Sequence, residues 1–281
     1  MNKNNKVILN KKYKKILMAT FFIISLAAFL YSIFKIVIWN FENSKIANLE
    51  NEIIKKVEIK EFIEKEDNNN EASNAINESV TNDIYWEHKD ISLIDVNLHE
   101  LKKENADTIG WIQVSGTKIN YPIVQTNNNE YYLDHDFSKS KNTGGWIFLD
   151  YRNDLNALSQ NNIVYGHMRK NGSMFGSLKN VLTANWQNNS DNHVIKISTE
   201  EYSYLFQIFS IYTIPVETYY IQNDFDDIES YKNFLNTIMN RSIYNFNTNV
   251  KEEDRLLTLS TCHANNERLV VHAKTIKAEK K

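Results

Sequence analysis

The residues best suited to chemistry lie in three short stretches of this chain. The only cysteine, Cys262, ends the run Thr-Leu-Ser-Thr-Cys, and Arg268 follows six residues later. His167 comes directly after an apolar run. A thiol that attacks an amide needs a group that manages protons and a donor that holds the developing oxyanion. We therefore interpret Cys262 as an activated nucleophile, His167 as its base and Arg268 as the oxyanion-stabilising cation.

Each of these residues also has a plainer interpretation. A single cysteine is most often a small buried apolar residue, a histidine at a strand end makes ordinary polar contacts, and an arginine that begins a strand faces solvent. The pattern around Cys262 favours the site. Residues 255–261 and 269–276 read as two strands, and the five residues between Cys262 and Arg268 have a common hairpin-loop length. Such a hairpin sets Cys262 and Arg268 close together.

The elements that position these residues are mostly short strands. Few helices accompany them, so the pattern predicts a barrel or a sandwich. The predicted strands before the final hairpin are residues 111–114, 119–124, 146–150, 163–165, 194–197 and 202–212. Helices are predicted at 93–104, 174–182 and 226–239, the last with Asp226 or Asp227 as its N-cap.

Composition excludes several classes of function. The formal net charge is −3, so nothing global points to nucleic acid. No zinc-type Cys/His spacing, Walker A motif or dinucleotide fingerprint occurs in the sequence, and thiol chemistry needs none of these, so neither a metal nor an organic cofactor is expected. One cysteine cannot form an internal disulfide.

The N-terminal part predicts a membrane anchor. Residues 16–39 form a largely apolar run whose one charged residue, Lys35, lies near its end, and six lysines precede the run. The run is long enough for a bilayer, and the positive-inside rule keeps the N-terminus in the cytoplasm. A cleaved signal peptide is the alternative, but the run is longer than a usual signal core and has a poor cleavage site. The predicted organisation is a basic N-terminus (1–15), an anchor (16–39), a polar or helical linker (40–82) and an external domain (83–281).

With these residues in place, the sequence resembles a known family. Its Thr-Leu-Ser-Thr-Cys run matches the Thr-Leu-x-Thr-Cys signature of the sortases, membrane-anchored cysteine transpeptidases of Gram-positive bacteria, and Cys262, His167 and Arg268 fall on the family's catalytic positions. The resemblance extends over about residues 98–276. The predicted helices at 93–104 and 226–239 make the chain most similar to class B.

This resemblance implies a mainly β fold, a closed eight-stranded sortase β-barrel with an N-terminal helix and an extra helix in the insertion before the cysteine strand. It implies cleavage of a C-terminal sorting pentapeptide after Thr, a thioacyl-enzyme on Cys262 and transfer to an amine of peptidoglycan or lipid II. The implied partners are surface proteins that carry a sorting signal and the cytoplasmic membrane, with no nucleic acid. The implied substrate-binding residues are Asn129, Leu133, Tyr220, Ile221, Ser260 and Thr261; for the last two, simple strand packing is an equal alternative.

Three other functions stay open at this stage. A thiol peptidase would use the same chemistry with water as acceptor. A pilin-polymerising sortase would join a lysine side chain of another protein, and residues 67–88 lack a clear lid motif of that kind. A non-catalytic membrane-anchored adhesion module would be indifferent to thiol-reactive reagents.

Overall fold

The computed structural model describes residues 3–62, 91–262 and 267–281. The chain divides into two compact units, Met1–Lys45 and Ile46–Lys281. The predicted boundary near residue 83 lies outside the described residues and stays a prediction. Within them, the second unit already begins at Ile46, inside the segment that was predicted to be a linker.

The described part of the first unit consists of the N-terminal portion of one long helix. Helix α1 runs over Lys3–Lys56, and its apolar side chains between Ile16 and Trp39 are exposed. At 1.5 Å per residue these 24 positions span about 36 Å, which exceeds the roughly 30 Å hydrocarbon core of a bilayer. In the described part of the chain this is the one helix long and apolar enough to cross a membrane. The N-terminal helix is thus confirmed, and its place in a membrane stays a prediction.

The last turns of α1 belong to the core of the second unit. Ile46 and Ile53, seven residues apart on one helix face, are fully buried. Between them the Glu50 carboxylate accepts a hydrogen bond from the Tyr121 hydroxyl at 3.0 Å. Burial raises the pKa of Glu50 above its ordinary value, although this hydrogen bond and the charge of Arg169 oppose the rise. The apolar residues at helical spacing in the predicted linker therefore pack into the core of the second unit.

The segment predicted as one helix over residues 93–104 is a strand followed by a short helix. Strand β1 (Ile59–Phe62) pairs antiparallel with β2 (Leu93–Val96), and helix α2 covers only His99–Glu104. The backbone of β2 also forms hydrogen bonds with two serine side chains. Ser203 donates to the Ile94 carbonyl oxygen at 2.7 Å, and the Val96 N–H donates to the Ser198 hydroxyl at 3.0 Å. Tertiary pairing thus overrides a spacing that also fits a helix, and that part of the prediction was wrong.

Eight further strands close into a barrel, which confirms the predicted fold. They are β3 (Thr108–Val114), β4 (Asn120–Val124), β5 (Phe148–Leu149), β6 (Asn161–Gly166), β7 (Val194–Ser198), β8 (Tyr202–Pro215), β9 (Leu256–Cys262) and β10 (Glu267–Lys280). Their order around the barrel is β10-β8-β7-β3-β4-β5-β6-β9. The β4–β5 and β6–β9 pairs are parallel and the others are antiparallel. Large aromatic side chains fill the core, among them Trp111, Trp146, Phe137, Phe175 and Phe206.

Short helical segments connect these strands. The 3₁₀ segments are Tyr131–Leu133, Phe175–Leu182, Ser190–Asn192 and Tyr219–Ile221, and helix α3 is Ala184–Gln187. The helix predicted at 174–182 is the second of these 3₁₀ segments.

The insertion before β9 carries the predicted extra helix. Helix α4 spans Ile228–Asn240, and the Asp227 side chain caps it by accepting from the Ser230 N–H at 2.7 Å. Its apolar face packs on a second hydrophobic cluster that includes Tyr212 and Tyr220. The face consists of Tyr231, Phe234, Leu235 and Ile238. Both the helix and its cap confirm the prediction.

Candidate active site

Three strand ends bring the predicted catalytic residues to one edge of the barrel. Strands β6 and β9 run parallel with Gly166 opposite Thr261, so His167 follows β6 next to the end of β9. Strands β9 and β10 are antiparallel with Cys262 opposite Arg268. The side chain of Cys262 and the loop residues 263–266 lie outside the described part of the structure. The backbone register alone places all three positions together.

An open groove of about 300 Å³ lies at this edge. Its lining includes His167 and Arg268 as well as all six residues predicted to bind substrate. These six are Asn129, Leu133, Tyr220, Ile221, Ser260 and Thr261. The groove is further lined by Phe148, Tyr165, Gly166, Val216, Glu217 and Thr218. Much of this lining is apolar, and the side chains of Leu133 and Val216 are substantially exposed to solvent.

The His167 ring is oriented by Leu133, another residue of the groove lining. Its Nε2 donates a hydrogen bond to the carbonyl oxygen of Leu133 at 2.8 Å, since a carbonyl can only accept. The loop bearing Gly145 packs against the ring: a Cβ at Gly145 would come within 3.0 Å of the His167 Cδ2 and 2.4 Å of the Tyr132 carbonyl oxygen. Gly145 also has a φ of 56°, which glycine adopts most readily. A side chain there would clash with the Tyr132 and Leu133 carbonyl oxygens and press on the histidine ring.

Arg268 is part of the groove lining. The side chain is half-buried on β10, and its Nη1 makes one long contact of 3.5 Å with the Glu267 carbonyl oxygen. No carboxylate forms an ion pair with it in the part of the chain that the structure describes. Arg268 therefore contributes a planar fork of N–H donors to the groove lining at the end of the cysteine strand.

Ser260 and Thr261 are buried in strand β9. The Ser260 hydroxyl is 2.9 Å from the Tyr220 hydroxyl, which joins the strand to the opposite groove wall. This contact favours the strand-packing alternative for Ser260, since its hydroxyl already holds Tyr220.

A buried carboxylate, Asp150, holds the floor of the groove together. Arg152 donates to both of its oxygens at 2.8 Å, and Tyr165 and Asn129 each donate to Oδ2 at 2.9 Å. Arg152 also donates to the Ile221 carbonyl oxygen at 2.9 Å, which connects this carboxylate cluster to a residue that lines the groove. Burial alone would raise the pKa of Asp150, but the hydrogen bonds from Arg152 and Tyr165 outweigh it and keep the pKa below its ordinary value.

Replacement of Asp150 by asparagine is expected to lower the free energy of unfolding by about 2 kcal/mol at pH 7, a typical cost for lost hydrogen bonds to a charged group. A lowered folded-state pKa contributes stability above the unfolded pKa of about 3.9 and loses it as the pH falls through the folded value. The difference from wild type should therefore shrink below about pH 4. Urea unfolding from pH 7 to pH 3 measures this, with the exposed Asp226→Asn as control. A difference that is independent of pH would contradict the assignment.

Several residues in or next to the groove were not singled out as functional from the sequence. Asp150 and Arg152 are two residues apart at the end of a strand. Their opposite charges and short separation could have suggested an ion pair. Glu217 and Val216 lie in a stretch with no periodic signal, so only the fold reveals them. In the described residues no group of three or more His, Cys, Asp or Glu side chains could hold a metal ion.

Comparison with known proteins finds the same family at every level. A family model described as "Sortase domain" matches residues 112–276, a range that includes His167, Cys262 and Arg268. Sortase B of Listeria monocytogenes serovar 1/2a is 34% identical over 203 residues, 67% of this chain and 80% of that protein. Sortase B of Staphylococcus aureus (strain NCTC 8325) is 37% identical over 181 residues, 63% of this chain and 73% of that protein. The solved Staphylococcus aureus sortase B–substrate complex is similar with a TM-score of 0.60 and 36% identity, over 64% of this chain and 84% of that one.

Proposed function

Because this chain belongs to the sortase family, whose members are cysteine transpeptidases, we propose that it anchors surface proteins to the cell wall. In this proposal it cleaves a C-terminal sorting pentapeptide after Thr and transfers the protein to an amine of peptidoglycan or lipid II. The observation that carries it is the groove. One groove holds His167 and Arg268 at the end of the strand that Cys262 closes, where Cys262 and Arg268 are register partners.

The chemistry divides one difficult exchange of amides into two easier steps. In the first, the Cys262 sulfur attacks the Thr carbonyl carbon, the oxygen takes up the negative charge, and the C–N bond breaks as the leaving amine receives a proton. In the second, an incoming amine attacks the thioester carbonyl, loses a proton and releases the Cys262 sulfur. Atoms and charge balance without an oxidant or a metal.

The described side chains suit the two supporting roles. His167 donates through Nε2 to Leu133, so Nδ1 is the nitrogen that we assign to proton exchange. Imidazole exchanges protons near neutral pH, as leaving and incoming amines require. A guanidinium stays protonated and cannot act as a base, so Arg268 is assigned to the oxyanion or to the substrate backbone. A peptide bound against the apolar walls of the groove would shield these hydrogen bonds from water.

Transpeptidation and hydrolysis differ only in the acceptor, so their products separate them. Purified enzyme is incubated with a library of pentapeptides that each contain one Thr, with and without triglycine. We expect a thioester adduct on Cys262 by mass spectrometry and a peptide joined to triglycine when the amine is present. If triglycine leaves the product distribution unchanged and only hydrolysed peptide forms, the enzyme is a thiol peptidase instead.

The long apolar helix supports a proposal for the location of the protein. We propose a single-pass membrane protein with a cytoplasmic N-terminus and an external catalytic domain, on the basis of the exposed apolar side chains of α1 and the lysines before them. Protease added to intact protoplasts is expected to remove the domain beyond Asn40 and to spare a cytoplasmic marker protein. Protection of the domain until the cells are lysed would show that the orientation is the reverse.

A further inference from the structure

A continuous chain of hydrogen bonds runs through the barrel wall behind the groove. The Tyr219 hydroxyl is 2.7 Å from that of Tyr212, which is 2.8 Å from His272 Nε2. On the other side of the ring, His272 Nδ1 is 2.8 Å from the Thr258 hydroxyl, which is 2.6 Å from Asn161 Oδ1. All of these side chains except Tyr219 are buried. We call these five residues the relay.

The relay has a single direction because each hydroxyl carries one proton. Thr258 donates to the carbonyl oxygen of Asn161, so it accepts from Nδ1–H of His272. The other ring nitrogen of a neutral histidine is then an acceptor, and Tyr212 donates to it while accepting from Tyr219. Complete burial lowers the pKa of His272 to about 3, so the ring stays neutral at ordinary pH and this direction is fixed.

Both ends of the relay hold the same surface segment. At its end, Asn161 Nδ2 donates to the carbonyl oxygens of Tyr220 at 3.1 Å and Gln222 at 2.8 Å. At its start, the Tyr219 hydroxyl is the first donor. Residues 217–221, here called the groove wall, include four that line the groove. The relay therefore begins and ends on the groove wall and passes through β8, β10, β9 and β6 between these two points.

Helix α4 supports the same segment from outside. Arg241, at the C-terminus of α4, lies 4.5 Å above the Tyr219 ring and pairs with Glu217 at 3.1 Å. Tyr212 and Tyr220 belong to the cluster that the apolar face of α4 covers. The insertion before β9 thus shields the relay from water, and buried hydrogen bonds of this kind are costly to interrupt.

We propose that the relay is a positioning device that fixes the groove wall relative to strand β9 and thereby sets the affinity for the sorting peptide. The proposal rests on the proposed function and adds residues remote from the reacting atoms. Thr258 lies four residues before Cys262 on β9, and His272 lies four residues after Arg268 on β10. The wall and the end of the cysteine strand therefore share one internal support. Interrupting the relay should loosen peptide binding and leave the chemical step nearly unchanged.

The test is Tyr212→Phe, which removes one hydroxyl from the middle of the relay and keeps the ring. With the best peptide of the library, KM is expected to rise about tenfold while kcat changes less than about twofold, in line with the loss of two buried hydrogen bonds. The matched control is Tyr204→Phe on the same strand, whose buried hydroxyl donates to the Leu155 carbonyl at 2.7 Å and lies outside the groove. The control should lose comparable thermal stability with KM unchanged.

Two further measurements distinguish positioning from loss of structure. Dissociation constants for the same peptide, measured on Cys262→Ala with and without Tyr212→Phe, should differ about tenfold without any turnover. A double variant with Thr258→Val should raise KM no more than either single variant, because the relay is already broken. Tyr219→Phe, at the partly exposed start, replaces Tyr212→Phe if the latter does not fold.

The outcomes separate the two proposals. An active wild type whose Tyr212→Phe and Tyr204→Phe variants have the same KM overturns the relay alone. Effects of Tyr212→Phe and Thr258→Val that multiply overturn it as well, since independent contacts would behave in that way. An inactive wild type that forms no adduct on Cys262 overturns the proposed function, while the dissociation constants still test the relay.

Discussion

Replacement of Cys262 by alanine is expected to abolish peptide cleavage and adduct formation while the barrel stays folded. The change removes one sulfur atom at the end of β9 and leaves the register with Arg268 intact. Cys262→Ser should be nearly as inactive, because the thiolate is the nucleophile and a hydroxyl ionises far less readily. No other cysteine exists in the chain that could substitute for it.

The measurement combines peptide turnover with a thermal melt of each variant. Wild-type melting temperatures for both variants establish that the loss lies in the chemistry. A thiol-reactive reagent should inactivate the wild type and label one site, which a bound peptide should protect. Turnover retained by Cys262→Ala, or indifference of the wild type to the reagent, would favour the adhesion module over the transpeptidase.

The sequence predicts local parts of the site well, because short-range geometry decides them. Hairpin loop length places Arg268 opposite Cys262, and the structure has that pairing in register. Residue type alone limits the N-cap of α4 to Asp226 or Asp227, and the structure has Asp227. His167 is 95 residues before Cys262, and its approach depends on the parallel pairing of β6 with β9. The chemistry of a cysteine nucleophile and the family resemblance suggest the pairing in advance, but no local pattern brings the two positions together.

What the sequence does not predict depends on long-range pairing. Residues 93–96 satisfy a helical spacing, but β1 and the serines of β7 and β8 offer their backbone better partners as a strand. Ile46 and Ile53 indicate a helix, but not that the helix packs into the core of the second unit. The relay joins residues from 161 to 272 on five separate elements, so no local pattern could reveal it.

Exchange of Arg268 for lysine should show which property of this residue matters. Lysine keeps the positive charge but loses the planar fork that can hold an oxyanion at a fixed angle. Loss of one oxyanion donor costs on the order of 10²–10³ in rate, so kcat is expected to fall by about that factor with the pH optimum unchanged. The control is Arg255→Lys, an exposed arginine at the opposite end of β9. It should retain wild-type kcat.

His167→Ala should impair the enzyme in a different way, because it removes the group that exchanges protons. The pH–rate profile of the wild type is expected to be bell-shaped, and the variant should lose that shape together with about 10²–10⁴ in rate. The exposed His99→Ala on α2 is the matched control and should keep the bell-shaped profile.

Profiles of kcat/KM from pH 5 to pH 10 for wild type and the four variants give the comparison. If Arg268→Lys were nearly as fast as wild type, the arginine would act only as a remote charge; if His167→Ala kept the bell, another residue would carry the proton. Loss of rate with the bell retained in Arg268→Lys, and loss of the bell in His167→Ala, would assign the donor to one strand end and the proton carrier to the other.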